Sequence, residues 1–144
     1  MNRLLVSSLL IAAVCGAPAV SAQDHAHHHA TPAAQAADPG ERYATDAPLR
    51  ENMAGIRDAV AALEHAEHGH LDEGQVVALA DTVSGHVREI VANCKLPPDA
   101  DAALHLIIAP LMQEASKLKA NPADLSPAEG MRAALESYDA QFVE

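Results

Sequence analysis

Apolar residues recur at three- and four-residue steps in four segments of the chain, which is the pattern of amphipathic helices. The first segment runs from about residue 46 to 68 and the second from 72 to the proline pair at 97 and 98. The third runs from 99 to 121, and the fourth starts at 126. The apolar stripes are Leu49, Met53, Ile56, Val60 and Leu63; Val76, Leu79, Val83, Val87, Ile90 and Cys94; Leu104, Ile107, Ile108, Leu111, Ala115 and Leu118; and Met131, Leu135, Tyr138 and Phe142.

Residues that start and stop helices separate these segments. The boundary signals are Gly69, the Pro97-Pro98 pair, a predicted cap at Asp99, and predicted capping boxes at Asp72 with Gln75 and at Ser126 with Glu129. Because the connections are short, neighbouring helices should be antiparallel. The sequence therefore predicts an all-α fold, an up-down-up-down antiparallel four-helix bundle over residues 46–144. We expect the glycines inside the helices, Gly55 among them, to mark close helix contacts.

The N-terminus has the pattern of an exported protein. Arg3 precedes the short apolar run from Leu4 to Val14, and Val20-Ser21-Ala22 fits a cleavage site, so residues 1–22 are predicted to be a signal peptide. Residues 23–45 have no apolar period and are predicted to be a disordered, His-rich tail. We expect a periplasmic or secreted protein with no transmembrane segment in the mature chain.

Charge narrows the classes of partner. The formal net charge is −11 with neutral histidines. An acidic surface repels phosphate backbones, which argues against nucleic-acid binding, and it is compatible with attracting cations or simply with solubility.

The first group of candidate ligands lies directly after the predicted cleavage site. A chain that starts Gln23-Asp24-His25 offers its amine, two backbone amides and an imidazole as four nitrogens in a plane, an arrangement that suits Cu(II) and Ni(II). His27, His28 and His29 follow at once. Clustered imidazoles bind copper and zinc, whereas the alternative is a solvated tail that responds to pH.

A second group of candidate ligands closes the first helix. His65 and His68 share a helix face, His70 lies in the following turn, and Asp72 or Glu73 could complete a surface zinc or copper site. The alternative is a polar helix end, where the helix dipole favours histidine.

A third group depends on how the helices pair. Antiparallel packing would bring Met53, His86, Cys94 and His105 toward one end of the bundle, and their sulfur and imidazole donors suit Cu(I). The alternative is core packing of Met53 and Cys94 beside two partly buried histidines. Cys94 is the one cysteine that remains after cleavage, so it could also form an intermolecular disulfide in a homodimer.

Several chemistries have no support in the sequence. There is no Cys-x-x-Cys-His, no His-Glu-x-x-His, no Gly-rich phosphate loop and no Gly-x-Ser-x-Gly, so neither covalent haem nor an enzyme is expected. The predicted architecture over roughly residues 46–144 resembles the small exported bundles of Gram-negative bacteria, the cytochrome b562-like and cytochrome c′-like group. Their haem ligands are missing from the expected places, so the resemblance implies the fold and not electron transfer.

The His-rich segment after the leader is similar in composition to periplasmic proteins that handle copper and zinc. We therefore expect a periplasmic protein that binds or buffers copper or zinc. The alternative function is a structural or interaction bundle without metal, which could be a homodimer formed through Cys94 or through an exposed apolar stripe.

Overall fold

A computed structural model of the chain describes residues 42–143. Four helices follow a short strand: β1 (Tyr43–Ala44), α1 (Ala47–Glu67), α2 (Glu73–Asn93), α3 (Pro98–Ala120), α4 (Pro127–Gln141) and a second strand β2 (Phe142–Val143). Each of α2 and α3 packs against the helices before and after it, and α4 returns to α1. The predicted up-down-up-down four-helix bundle is thus confirmed.

The predicted apolar stripes form the core. Every stripe residue of α1 and α3 is buried, and so are Met131, Leu135, Tyr138 and Phe142 at the C-terminal end. On α2 the stripe is buried except for Leu79 and Cys94, which are partly buried against the core. No helix within residues 42–143 is both long enough and apolar enough to cross a bilayer.

The helix starts agree with prediction at α1 and α2 and differ at α3 and α4. The side chain of Asp46 caps α1, and Asp72 with Gln75 forms the reciprocal capping box on α2. The predicted cap at Asp99 is wrong, because α3 already begins at Pro98 and has no side-chain cap. The predicted capping box of Ser126 is also wrong: this residue has helical backbone angles, and its side chain makes no capping hydrogen bond.

A parallel pair of two-residue strands ties the two ends of the bundle sequence together. Tyr43 pairs with Phe142, and Ala44 pairs with Val143. The rings of Tyr43 and Phe142 lie 5.5 Å apart, and Phe142 stacks on Tyr138 at 5.0 Å. The bundle therefore begins before residue 46, and residues 43–45 do not belong to the predicted disordered tail. The rest of that tail and the predicted signal peptide lie outside the described residues.

Candidate metal centre

The two ends of the bundle carry different candidate ligands. Because α1 and α2 are antiparallel, the turn that joins them lies at one end, and the contact between Asp46 and Cys94 lies at the other. The 21 residues of α1 make this separation about 30 Å at 1.5 Å per residue. The three groups of histidines predicted from the sequence must therefore be considered separately.

His65, His68 and His70 lie together at the end of α1, in a segment of residues 65–70 that we name the histidine turn. Gly69 has a left-handed backbone with φ of 74°. Its N–H donates to the carbonyl of Ala66 at 2.9 Å, and the N–H of His70 donates to the carbonyl of His65 at 2.8 Å. These two bonds define a Schellman motif, which ends the helix and folds residue 70 back over residue 65.

The Schellman motif brings imidazoles together where such motifs commonly place an apolar contact. The ring centroids of His65 and His70 are 6.3 Å apart, and those of His68 and His70 are also 6.3 Å apart. All three side chains are exposed. The structure therefore confirms that the three predicted residues are neighbours, and it places all three side chains at the surface.

Packing on both sides fixes the histidine turn to the bundle. Leu63, just before the turn, is fully buried, and Leu71, just after it, packs against the core. Between the histidines, the carboxylate of Glu67 accepts a hydrogen bond at 3.0 Å from Arg132 on α4. The histidine turn is thus attached to the core through Leu63 and Leu71, and to α4 through Glu67.

In its described geometry the turn is not an assembled coordination sphere. Among residues 42–143, no group of three or more histidine, cysteine, aspartate or glutamate side chains is arranged so that it could hold a metal ion. Exposed side chains change rotamer within picoseconds to nanoseconds, so what the backbone supplies here is proximity.

The predicted cluster of Met53, His86, Cys94 and His105 is not formed. Met53 is fully buried in the core. His105 is exposed, and its Nδ1 lies 2.9 Å from the carbonyl oxygen of Asp101 on the same helix. His86 and Cys94 are separated by about 12 Å along α2 at 1.5 Å per residue, and each side chain has a partner of its own.

His86 is held in the contact between α1 and α2. The amide nitrogen of Asn52 donates to the carbonyl of Pro48 at 2.8 Å, which turns its amide oxygen toward Nδ1 of His86, 2.9 Å away. Nδ1 is therefore assigned as the protonated nitrogen. The opposite edge of the ring lies against Gly55, where an added Cβ would come within 2.5 Å of Cε1 and closer still to Nε2. Gly55 thus marks a close helix contact, as the sequence predicted.

Cys94 is a protected thiol. Its Sγ donates to a carboxylate oxygen of Asp46 at 3.4 Å. Burial, followed by the hydrogen bond to Asp46 and the negative charges of Asp46 and Asp101, raises the pKa of Cys94 to about 12. Because the thiolate is the form that binds metals and attacks disulfides, this environment disfavours Cys94 both as a ligand and as a disulfide partner at neutral pH.

The sequence did not reveal that Asp46 joins two helices. Besides capping Leu49 at 2.9 Å, its carboxylate accepts the backbone N–H of Lys95 at 2.6 Å. Burial alone would raise the pKa of Asp46. The hydrogen bonds from Lys95, Leu49 and Cys94, with the charge of Arg50, outweigh burial and hold the pKa below its ordinary value of 3.8.

We expect Asp46→Asn to lower the free energy of unfolding at neutral pH by about 1–2 kcal/mol, because an ionised acceptor of two backbone amides is lost. A lowered pKa in the folded state stabilises the fold above pH 3.8 and loses this effect as the pH falls through the folded-state pKa. The difference between wild type and variant should therefore shrink below pH 3.8. Urea unfolding, followed by circular dichroism at neutral pH and again below pH 3.8, measures this difference in the free energy of unfolding.

The control for Asp46→Asn is Asp72→Asn. Asp72 accepts the N–H of Gln75 on its own helix, whereas Asp46 also accepts an N–H from Lys95 on a distant segment, so replacement of Asp72 should cost less at neutral pH. A difference between wild type and Asp46→Asn that stayed constant down to acidic pH would contradict the assigned role of the Asp46 carboxylate.

A surface cleft at the α3–α4 turn offers no comparable set of ligands. It has a volume of about 500 Å³ and is lined by Glu114, Lys117, Asp124 and Glu129, among others. Lys117 donates to Glu114 at 2.8 Å, and Asp124 accepts the N–H of Ser126 at 3.0 Å. The charged groups of the cleft thus bond to their own surroundings and do not converge on a common point.

His25, His27, His28 and His29 lie outside the described residues. Comparison with protein-family models, with curated proteins and with solved structures gives no match to the chain. The resemblance to the cytochrome b562-like and cytochrome c′-like bundles stays a prediction.

Proposed function

We propose that the protein binds a divalent transition-metal ion, copper or zinc, through the imidazoles of the histidine turn. One observation supports this above all others: the Schellman hydrogen bonds place His70 over the last turn of α1, with its ring 6.3 Å from those of both His65 and His68. Modest side-chain rotation converts such neighbours into a pair or trio of nitrogen ligands. Imidazole nitrogen is a good ligand for Zn(II), Cu(II) and Ni(II).

The chemistry of the turn favours binding over catalysis. Its three imidazoles are exposed to solvent. Glu64, Glu67 and Asp72 lie next to the histidines in sequence and add negative potential that raises the local concentration of cations. A ligand set completed by water suits an ion that is bound and released, which is what a metal buffer requires.

Two further features of the sequence belong to this proposal. The predicted signal peptide implies that the protein acts in the periplasm or outside the cell. His25, His27, His28 and His29 would then give the exported chain a second group of imidazole ligands. Substitution of the tail histidines alone allows the two groups to be tested separately.

Calorimetric titration with Zn(II) tests the proposal on the exported chain. The starting protein carries asparagine at positions 25, 27, 28 and 29, so that only the bundle contributes ligands. It should bind one Zn(II), and the added change of His65, His68 and His70 to asparagine should weaken binding by at least about tenfold, the effect of losing roughly 1.4 kcal/mol.

His105→Asn is the matched control for this titration. His105 is an exposed helix histidine at the other end of the bundle, bonded to a carbonyl of its own helix, so its removal should leave the affinity unchanged. If zinc affinity survived the loss of His65, His68 and His70, the histidine turn would not be the site.

A further inference from the structure

We propose that Gly69 is the positioning residue of this metal site, so that closure of the Schellman turn and metal binding are thermodynamically coupled. This inference rests on the proposed function of the histidine turn. Gly69 supplies no ligand atom. Its role is to allow the closed turn, which is the backbone conformation that the metal ion would favour.

The backbone of Gly69 determines whether the outer imidazole meets the helical ones. His65 and His68 belong to the end of α1, whereas His70 is placed only by the chain reversal at Gly69. That reversal requires φ of 74° at residue 69, a left-handed conformation that glycine adopts freely and L-residues adopt at a cost. When the turn opens, His70 leaves both partners at once and the ligand set loses its third nitrogen.

A substitution at Gly69 tests the backbone conformation with little disturbance of the surrounding packing. A Cβ built on this residue would meet no atom within 4 Å. The added Cβ therefore clashes with no part of the bundle beyond the two neighbouring residues, and the main effect of a substitution is on the preference of the backbone for the left-handed conformation. Position 69 can be tested with a graded series of residue types: Gly, Asn, Ala and Val. Asn tolerates the left-handed conformation best among L-residues, and a β-branched residue tolerates it least.

Coupling must act in both directions. If the closed turn binds the ion better than the open turn, then the ion must favour the closed turn by the same factor. The N–H of His70, which donates to the carbonyl of His65 at 2.8 Å, reports closure directly. Zinc should slow hydrogen exchange at this amide, and the effect should disappear when the imidazole ligands are removed.

The experiment measures zinc affinity and His70 amide exchange in the full exported chain with asparagine at the four tail histidines. We expect Gly69→Asn to stay within about twofold of the parent affinity and Gly69→Ala to weaken it several-fold. Gly69→Val should weaken it by about tenfold, since the left-handed penalty of an L-residue corresponds to a factor of this order. Gly85→Ala, a glycine change inside α2 where the added Cβ would meet only Nη2 of Arg88 at 4.0 Å, should leave affinity unchanged.

The outcomes separate this inference from the proposed function. If the parent chain binds zinc through the three histidines and Gly69→Val binds it equally well, Gly69 does not position the site, although the site itself stands. If the parent chain shows no histidine-dependent binding, both fail. A residue that served only to end α1 would change thermal stability without changing zinc affinity or the zinc dependence of His70 exchange, and that result would also overturn the inference.

Discussion

Replacing Leu111 with alanine should lower the free energy of unfolding by about 2–5 kcal/mol, the range observed when a fully buried leucine is truncated in a packed core. Leu111 lies on α3 and is 0% exposed. The loss combines the transfer free energy of the deleted atoms with the cost of the cavity left behind. Since domains of this size are stable by only about 5–15 kcal/mol, much of the stability would be lost. Urea unfolding followed by circular dichroism at 222 nm measures the change.

Leu106→Ala is the matched control on the same helix. Leu106 is 78% exposed, so its truncation removes little buried surface and should change stability by less than about 0.5 kcal/mol. Alanine also suits an exposed helix position. Equal losses for the two variants would mean that the face of α3 carrying Leu111 is not the face that packs in the core.

The second large effect is expected at the contact between Gly55 and His86. Gly55→Ala should destabilise the protein by about 1–3 kcal/mol before the gain in helix propensity is counted, because the new methyl group overlaps the imidazole ring. The ring cannot move aside without leaving Asn52, whose oxygen lies 2.9 Å from Nδ1. The gain of alanine over glycine inside a helix, up to about 1 kcal/mol, offsets only part of the cost.

Removing the ring should reverse the sign of this effect. In a His86→Ala background the three atoms nearest to the new methyl group, all of them in the imidazole ring, are gone, so Gly55→Ala should stabilise α1 by up to about 1 kcal/mol. The four proteins of this double-mutant cycle, each measured by urea unfolding, give the coupling between the two positions. Independent effects of the two substitutions would contradict the described contact between Gly55 and His86.

The helices could be predicted because their physical cause is periodic. A stripe such as Leu104, Ile107 and Leu111 repeats with the turn of the helix, and burial of that stripe is what selects the fold. The strands could not be predicted, since two residues are too few to show a period. Tyr43 and Phe142 are paired by proximity of the two chain ends, which only the assembled bundle creates.

The cap of α2 was predicted correctly, because Asp72 and Gln75 are spaced as a capping box and both of its hydrogen bonds are formed. At α3, proline supplies the first helical residue without a backbone N–H to be capped, so the helix begins one residue earlier than Asp99. At α4 the carboxylate of Asp124 accepts the N–H of Ser126 at 3.0 Å, and Ser126 has helical backbone angles although it precedes the helix. Competing local hydrogen bonds of this kind are not visible in a residue pattern.

The candidate ligands could be predicted where they are neighbours in the sequence, and not where they lie far apart along the chain. Proximity of His65, His68 and His70 follows from sequence neighbours and a glycine that ends a helix, and the structure confirms it. Antiparallel packing predicts which parts of α1 and α2 are neighbours, but it does not determine which partners the side chains of His86 and Cys94 take. Each found a nearer partner, Asn52 for the imidazole and Asp46 for the thiol.

The measurement that tests the central proposal most directly is an NMR titration of the imidazole resonances with Zn(II) in the full exported chain, which contains nine histidines. We predict saturable shifts of the imidazole resonances of His65, His68 and His70. The resonances of His86 and His105 should not shift. Changes confined to His25, His27, His28 and His29, or no saturable change in the histidine turn, would contradict the proposal that the bundle itself binds a metal ion.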